Sequence, residues 1–381
     1  MEQWKEYKIS EIIEEIAMGP FGSNIKVDNF IDSGIPVLNG SNLQGIKLNE
    51  DSFNYVSEEK ADTLGRANAF RGDVVITHRG TLGQIVYIPL DSKYERYVIS
   101  QSQFRLKLNK DIIRPDFFVY FFHTRLGQHR LLVNASQVGV PALARPTSTF
   151  KEVFIPVPPM EMQNKVMGVL HSIDSKIELN RRINDNLEQQ AQALFKAWFV
   201  DNAVIGDASV SDYFIPLRGK NLLTSDAKGG EVPVVAGGLT PSAYHNVANT
   251  KAPVITISAS GANAGYVNLW GIPVWSADSS YIDSSITPHI YFWYNLLKFS
   301  QKNIFDSQTG SAQPHIYPKH IGDIRIPDLD LDKVADYNKI VTPIYEQITN
   351  TKKINAQLAE TRDTLLPKLM SGELKIGKVE M

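Results

Sequence analysis

The histidines and acidic residues of this chain do not form the arrangement that a catalytic site requires. Catalysis needs a nucleophile, a base and a group that orients the base, all held within reach of one another. The eight histidines are spread singly, and the sequence lacks a phosphate loop, a dinucleotide fingerprint, an H-E-x-x-H pair and a G-x-S-x-G turn. Pro115-Asp116 could begin a metal-dependent nuclease triad, but no acidic-x-Lys motif follows on a nearby predicted strand. The pattern favours binding over catalysis.

Polar loops at matched places in the two halves of the chain are the best candidates for binding chemistry. The loop from Asn134 to Arg145 combines small residues, which permit close backbone approach, with Gln and Arg, which suit hydrogen bonds to base edges. A similar loop ends at His315, and a polar turn follows a predicted strand in each half. The candidate contact residues are Ser136, Gln137, Arg145, His78, Arg79 and Thr81 in the first half, and Gln308, Ser311, Gln313, His315, Ser258, Ser260 and Asn263 in the second.

Charge gives a mixed indication about a nucleic-acid partner. The chain has 39 Lys and Arg residues against 41 Asp and Glu residues, and this net charge of -2 argues weakly against bulk binding of nucleic acid. Between Arg105 and Lys151, however, eight basic residues stand against Asp111 and Asp116, a balance of +6. We therefore expect a basic patch on the first half.

An internal repeat must position these loops. Ser136–Gly139 recurs as Ser307–Gly310, and Val153–Pro156 recurs as Ile324–Pro327, both at an offset of 171 residues. The same offset continues into the following segments without an insertion. We therefore expect two halves that share one plan and differ in their loops.

Each repeat ends in a long segment with heptad-like apolar spacing, which predicts a helix. Both apolar seams have a polar middle, formed by Asn180 and Asn184 in the first segment and by Thr351 and Asn355 in the second. A buried Asn costs stability but fixes the register of two paired helices. We expect the two helices to pack on each other. The alternative is two unrelated amphipathic helices with these positions at the surface.

The regions before the two helices contain short β-rich runs separated by Gly, Pro and Asn turns, which predicts compact α+β domains. The absence of Cys excludes disulfide scaffolds, zinc fingers and thiol nucleophiles. A charged N-terminus and apolar runs too short to cross a bilayer predict a cytoplasmic protein without membrane contact.

Several segments also match a known family in type and order. They are the early segment Gly19–Ser23, the Gly-Ser-x-Gln loop Gly310–Gln313 leading to Ile324–Pro327, and the helix endings Leu194–Phe199 and Leu365–Leu374. With these features in this order, nearly the whole chain resembles the DNA-specificity (S) subunit of type I restriction-modification systems. The first-half loop departs from the family pattern, because it lacks Ser-x-Gln after its glycine.

The resemblance implies two similar target-recognition domains, residues 1–155 and 201–330, each reading one half of a bipartite site on double-stranded DNA. It implies two long antiparallel coiled-coil helices, residues 156–200 and 331–372, which join the domains in a pseudo-two-fold internal repeat and dock two methyltransferase subunits. Residues 373–381 would form a C-terminal tail. The resemblance also adds Ser23 and Lys26 to the expected DNA-contacting residues.

The same resemblance implies that the chain is non-catalytic and carries no cofactor. S-adenosylmethionine would bind a partner adenine-specific methyltransferase, and ATP and Mg would bind an optional partner restriction (nuclease) subunit. Two alternatives stay open. One is a coiled-coil adaptor with two ligand-binding domains and no DNA role, and the other is a hydrolase whose site is assembled across the domains.

Overall fold

The computed structural model describes residues 4–136, 139–201, 206–310 and 313–374. At Ser23 it describes the backbone but not the side chain. The chain divides into two compact units. The first unit is Met1–Ser175 together with Leu358–Met381, and the second is Lys176–Gln357. Both units mix helices with sheets, in agreement with the α+β prediction.

Short strands rich in Val, Ile and aromatic residues build two four-stranded sheets in the first unit. The strands are β1 (Lys5–Lys8), β2 (Ile13–Met18), β3 (Ile35–Val37), β4 (Asn54–Val56), β5 (Asn68–Phe70), β6 (Val74–Thr77), β7 (Ile85–Tyr87), β8 (Arg96–Val98), β9 (Gln103–Leu108), β10 (Ala135–Ser136), β11 (Ala142–Leu143) and β12 (Phe154–Val157). The main sheet has the order β2-β9-β6-β7 and the second sheet the order β4-β3-β8-β5, beside the pairs β1-β12 and β10-β11. The short helices are α1 (Ile9–Ile12), α2 (Glu58–Thr63), α3 (Pro115–Phe122), α4 (Arg125–Leu132) and α5 (Pro146–Lys151).

The second unit repeats the main sheet with fewer strands around it. Its strands are β13 (Leu217–Arg218), β14 (Val232–Val235), β15 (Ala243–His245), β16 (Val254–Ser258), β17 (Val267–Trp270), β18 (Trp275–Ser276) and β19 (Ser279–Asp283). Its short helices are α7 (Ile290–Phe299), α8 (Gln301–Asp306) and α9 (Pro318–Gly322). The main sheet has the order β13-β19-β16-β17, and a three-stranded sheet has the order β15-β14-β18.

The two main sheets correspond strand by strand, because their hydrogen-bond ladders have the same register. The amide of Gly19 donates to the carbonyl of Gln103, and the amide of Gly219 donates to the carbonyl of Ser279, both at 2.8 Å. The central strands in this comparison are β9 in the first unit and β19 in the second. Their other neighbours, β6 and β16, pair with them in the same register. Positions in one unit can therefore be compared residue by residue with positions in the other.

Two helices of 40 residues each, α6 (Met160–Phe199) and α10 (Leu331–Met370), contribute residues to both units. They lie within the segments 156–200 and 331–372 for which the sequence predicts helices. Among the helices of the described ranges, none is both long enough and apolar enough to cross a membrane.

In the first unit, both long helices contribute to the core around the aromatic helix α3. Phe117 and Phe118 are fully buried in one cluster with Leu170 of α6 and Leu369 of α10. At the margin of this core, Arg362 of α10 donates to Asp174 of α6 at 2.8 Å. The helical segments of this unit are thus part of its core.

In the second unit, α6 and α10 run antiparallel. The amide of the buried Asn180 donates to the side-chain oxygen of Asn355 at 2.7 Å, and Asn355 also donates to the carbonyl of Ile177 at 3.3 Å. Further along α6, the carbonyl of Ala191 accepts from the hydroxyl of Tyr337 at 2.9 Å. Asn180 and Asn355, two of the four residues in the polar middle of the seam, are therefore hydrogen-bonded to each other, as a register-fixing pair must be.

Candidate nucleic-acid interface

In the first unit, one end of the main sheet gathers the predicted contact loops. β2 and β6 end there and β7 and β9 begin there, because β9 is antiparallel to β2 and β6, and β7 is antiparallel to β6. The loop after β2 carries Lys26, and the turn after β6 carries His78, Arg79 and Thr81. We call this end the first loop end, and the corresponding end of the second unit, where β13 and β16 end, the second loop end.

At the first loop end, the β10-β11 hairpin docks on the turn after β6. The amide of Gly80 donates to the carbonyl of Pro141, and the amide of Leu143 donates to the carbonyl of His78, both at 2.8 Å. Gly80 has a φ of 89°, a left-handed conformation that favours glycine. Because no atom lies within 4 Å of where its Cβ would stand, backbone conformation rather than crowding requires glycine here.

The second loop end has the same two backbone hydrogen bonds. The amide of Gly261 donates to the carbonyl of Pro314 at 3.1 Å, and the amide of Ile316 donates to the carbonyl of Ala259 at 2.9 Å. Gly261 also has a left-handed φ, of 82°. Each unit therefore joins two segments that are distant in sequence by one common backbone scaffold.

This pairing corrects the sequence alignment of the two hairpin loops. Ser136 pairs with Ala142, and Thr309 pairs with His315. Ala142 and His315 also form the bridges to the turn in their own units, so Ser136 corresponds to Thr309 and not to Ser307. The predicted offset of 171 is wrong by two residues for this loop. The first unit has more residues after its hairpin, including a six-residue α5 against a five-residue α9.

Most of the described contact residues at the first loop end are exposed. The exposed side chains are those of Lys26, Arg79, Thr81, Ser136 and Arg145. Arg145 has a φ of 47°, a conformation that few residues other than glycine adopt, so its surroundings must hold it there. Gln137 and the side chain of Ser23 lie outside the described residues.

His78 differs from its exposed neighbours because it is half-buried. Its Nε2 lies 3.1 Å from the carbonyl oxygen of Gln101. Burial lowers the pKa of His78 below its ordinary value, although the carbonyl of Gln101 acts in the opposite direction. The imidazole is therefore neutral at pH 7, and its Nε2 donates to that carbonyl.

Two predicted contact residues of the second unit hold its loops in place. Ser258 is buried, and its hydroxyl donates to the carbonyl of Gly237 at 3.1 Å. The expectation that Ser258 faces a ligand is thereby corrected, because the last position of β16 points into the protein. Gln308 is half-buried, and its amide donates to the carbonyl of Ala264 at 2.7 Å.

The remaining contact residues of the second unit are more accessible. Gln313 is exposed, and Asn263 is half-buried. The ring of the half-buried His315 stacks on that of Tyr317, with centroids 6.1 Å apart and an interplanar angle of 19°. The hydroxyl of Ser260 donates to the carboxylate of Asp278. Ser311 lies outside the described residues.

Part of the basic stretch between Arg105 and Lys151 is neutralised within the protein. The buried Arg105 contacts Glu15 at 2.9 Å and Asp73 at 3.2 Å. Half of the eight basic residues are in ion pairs with acidic residues, most of them distant in sequence: Arg105 with Glu15 and Asp73, Lys107 with Glu14, Arg114 with Asp116, and Arg130 with Glu6. The local charge balance of +6 therefore overstates the charge of the expected patch, because it omitted these tertiary partners.

Two charged residues at the second loop end were missed by the sequence prediction. Arg218 ends β13, and its guanidinium lies 2.6 Å from the carboxylate of Asp278. No sequence signal marked Arg218, because the correspondence of Gly219 with Gly19 is visible only in the hydrogen bonds of the two sheets. Within the described residues, no three His, Asp or Glu side chains are grouped so that they could hold a metal ion.

The chain is similar to specificity subunits of type I restriction enzymes. The family model for the type I restriction modification DNA specificity domain matches residues 1–189. The type I restriction enzyme MjaIX specificity subunit of Methanocaldococcus jannaschii is 25% identical, over 99% of this chain and 94% of that protein. The type I restriction enzyme HindI specificity subunit of Haemophilus influenzae is 28% identical, over 66% of this chain and 53% of that protein.

A solved structure has the same fold. The S subunit of a type I restriction-modification system from M. genitalium aligns with a TM-score of 0.55 at 20% identity, and the alignment covers 96% of each chain.

Proposed function

Because this chain belongs to the family of type I restriction-modification specificity subunits, we propose that its two loop ends each read one half of a bipartite DNA site. In this function the first unit contacts one half-site and the second unit contacts the other. The chain contributes recognition and no catalysis.

The observation that carries this proposal is the shared scaffold at the two loop ends. In both units, a glycine in the turn after β6 or β16 donates its amide to a proline carbonyl. The pair is Gly80 and Pro141 in the first unit, and Gly261 and Pro314 in the second. The side chains on this scaffold differ, since Arg79 stands at the bridge position of one unit and Ser260 at that of the other. One scaffold with two sets of polar side chains suits a protein that reads two different sequences with the same geometry.

We further propose that α6 and α10 act as an antiparallel coiled coil that separates the two recognition domains. The buried Asn180–Asn355 hydrogen bond supports this role, because it holds the two helices in one register. Apolar side chains are exposed on the same helices at Leu179, Ile340 and Ile354, which suits the docking of two methyltransferase subunits. S-adenosylmethionine would bind those subunits, and ATP and Mg would bind any restriction subunit.

The test is selection of duplexes from a random library by the full chain, followed by binding measurements at several salt concentrations. We expect two short conserved motifs separated by a gap of fixed length, and an affinity that falls steeply with salt because counterions are released from the phosphates. Binding that ignores sequence, or that does not depend on salt, would contradict the proposal. The purified chain should transfer no methyl groups until a methyltransferase subunit and S-adenosylmethionine are added.

A further inference from the structure

We propose that Arg218 is a specificity-determining residue of the second loop end, where it reads a guanine and is oriented by Asp278. The assignment rests on the proposed function, because it supposes that this loop end faces a DNA duplex. It adds a residue, a base and a supporting side chain to that function.

Hydrogen bonds hold Asp278 in a position from which it orients the side chain of Arg218. One carboxylate oxygen, Oδ1, accepts from the Nη2 of Arg218 at 2.6 Å, and the other, Oδ2, accepts from the hydroxyl of Ser260. The main chain of Asp278 is also held, because its carbonyl accepts from the amide of Ala259 at 3.1 Å. Both oxygens of Asp278 are therefore engaged within the protein, which suits support of the arginine.

The backbone next to Arg218 is fixed as well. A Cβ on the following residue, Gly219, would stand 2.5 Å from the carbonyl oxygens of Ser276 and Ala277. The backbone at Gly219 therefore packs directly against the backbone of the loop before β19. The side chains of Arg218 and Asp278 nevertheless keep exposures of 42% and 35%. The backbone of Arg218 and one terminal nitrogen of its guanidinium are therefore held in place, while the side chain stays open to solvent. Such a guanidinium is preorganised to donate hydrogen bonds to an acceptor on another molecule.

The first unit has the same backbone with other side chains. The register makes Met18 the equivalent of Arg218, because Met18 pairs with Phe104 on β9 as Arg218 pairs with Ser280 on β19. The carbonyl equivalent to that of Asp278 belongs to Ser102, which accepts from the amide of His78 at 2.8 Å. The arginine and its brace are thus particular to the second unit, as expected of residues that distinguish one half-site from the other.

Chemistry favours a guanine over a phosphate as the acceptor. Asp278 cancels the charge of Arg218, so the pair contributes little net attraction to the phosphate backbone. Arg carries five N–H donors in a planar fork, and the bond to Asp278 uses only one terminal nitrogen. The N–H groups that remain match the O6 and N7 acceptors that guanine presents in the major groove, the commonest specific contact of arginine with DNA.

The test uses the full chain in selections from a random duplex library, with four variants. Arg218→Ala should reduce the preference for one guanine in one half-site by about tenfold to a hundredfold and leave the other half-site unchanged. Arg218→Lys should not restore the preference, because it keeps the charge and loses the fork. Asp278→Asn should weaken the same preference by a smaller factor. Arg325→Ala is the matched control, since Arg325 is an exposed arginine of the same unit that donates to the carbonyl of Asp207.

The outcomes separate this assignment from the proposed function. If the unmodified chain selects a bipartite motif and Arg218→Ala selects the same motif with the same preferences, the assignment is wrong and the function stands. A uniform loss of affinity for Arg218→Ala, with a salt slope reduced by about one, would identify a phosphate contact and would also overturn it. If the unmodified chain selects no motif, the proposed function fails and the assignment fails with it.

Discussion

At the first loop end, Arg79 and Arg145 extend into solvent beside a neutral, half-buried His78. At the second loop end, Arg218 is braced by Asp278. These differences lie on backbones that make the same hydrogen bonds. The comparison indicates that the loop-end backbone is a fixed scaffold and that the side chains on it are free to vary.

The two main sheets differ in the same way inside the protein. In the first unit the buried Arg105 pairs with Asp73, whereas the equivalent positions of the second unit are Tyr281 and Val254. Val254 lies in an apolar cluster against which Tyr281 packs. One fold therefore tolerates an ion pair or an apolar contact at the same place, provided that both partners change together.

Breaking the buried ion pair should have the largest effect. Arg105→Met leaves Asp73 buried without its cation, and we expect the first unit to lose about 3 to 5 kcal/mol of unfolding free energy at pH 7. Burial already raises the pKa of Asp73, and losing Arg105 should raise it further. A carboxyl with a raised folded-state pKa contributes stability at low pH that is lost as the pH rises through that pKa, so the loss should be smaller at pH 5.

Hydrogen exchange followed by mass spectrometry measures this effect in β6 and β9 separately from the second unit. The matched control is the double variant Asp73→Val with Arg105→Tyr, which installs the side chains of the second unit. It should recover most of the lost stability. A double variant as unstable as Arg105→Met would contradict the view that the two sheets are interchangeable here.

The glycines at the loop ends should show a graded effect. A Cβ on Gly19 would stand 1.9 Å from the carbonyl oxygen of Ser100, and one on Gly219 would stand 2.5 Å from that of Ala277. We expect Gly19→Ala to cost about 3 kcal/mol and Gly219→Ala nearer 1 kcal/mol, within the range for overpacking. Urea unfolding measures both. Gly168→Ala, in α6 with no atom within 4 Å of its Cβ position, is the control and should be neutral or stabilising.

Substitution of two glutamines at the second loop end should distinguish a residue that stabilises the fold from one that contacts DNA. Gln308→Ala removes the 2.7 Å hydrogen bond to Ala264 and should cost about 1 kcal/mol of stability. Gln313 is exposed, so Gln313→Ala should leave the unfolding free energy unchanged and alter the bases selected in one half-site. Chemical denaturation and library selection measure the two effects. A stability loss for Gln313→Ala equal to that for Gln308→Ala would show that both residues are structural.

His78 should give the first unit a small sensitivity to pH that the second unit lacks at the equivalent Ala259. The pKa of His78 is lowered by burial, so its contribution to stability is present above its ordinary value of 6.5 and is lost as the pH falls through the folded-state pKa. The loss of stability between pH 7.5 and pH 5.5 should be smaller in His78→Ala. Part of the loss should remain, because burial also lowers the pKa of His123. An unchanged pH dependence in His78→Ala would exclude this role.

Local pattern was enough to predict some features and not others. The long helices follow from an uninterrupted apolar period, and the loops follow from Gly and Pro turns at matched places. The ion pairs were not predictable, because Arg105 and Glu15 are 90 residues apart and meet only through the sheet. The two-residue shift that makes Thr309 the equivalent of Ser136 could not be predicted for a similar reason. Three of the four residues in Ser136–Gly139 are identical in Ser307–Gly310 by chance, and only the strand pairing reveals the true register.

Lengthening both helices and measuring the gap between the two half-sites tests most directly whether the helices set the distance between the recognition domains. A copy of residues 169–175 would be inserted after Ser175 and a copy of residues 358–364 after Gln357, so that the copied Asp174 and Arg362 can pair. Seven residues keep the apolar seam in phase and add roughly 10 Å at 1.5 Å per residue, about three base pairs of duplex at 3.4 Å each. We predict selection of the same two half-sites with a gap longer by about that amount. Selection of the original gap by the folded, lengthened chain would contradict the claim that the two units read separate half-sites at a distance set by the helices.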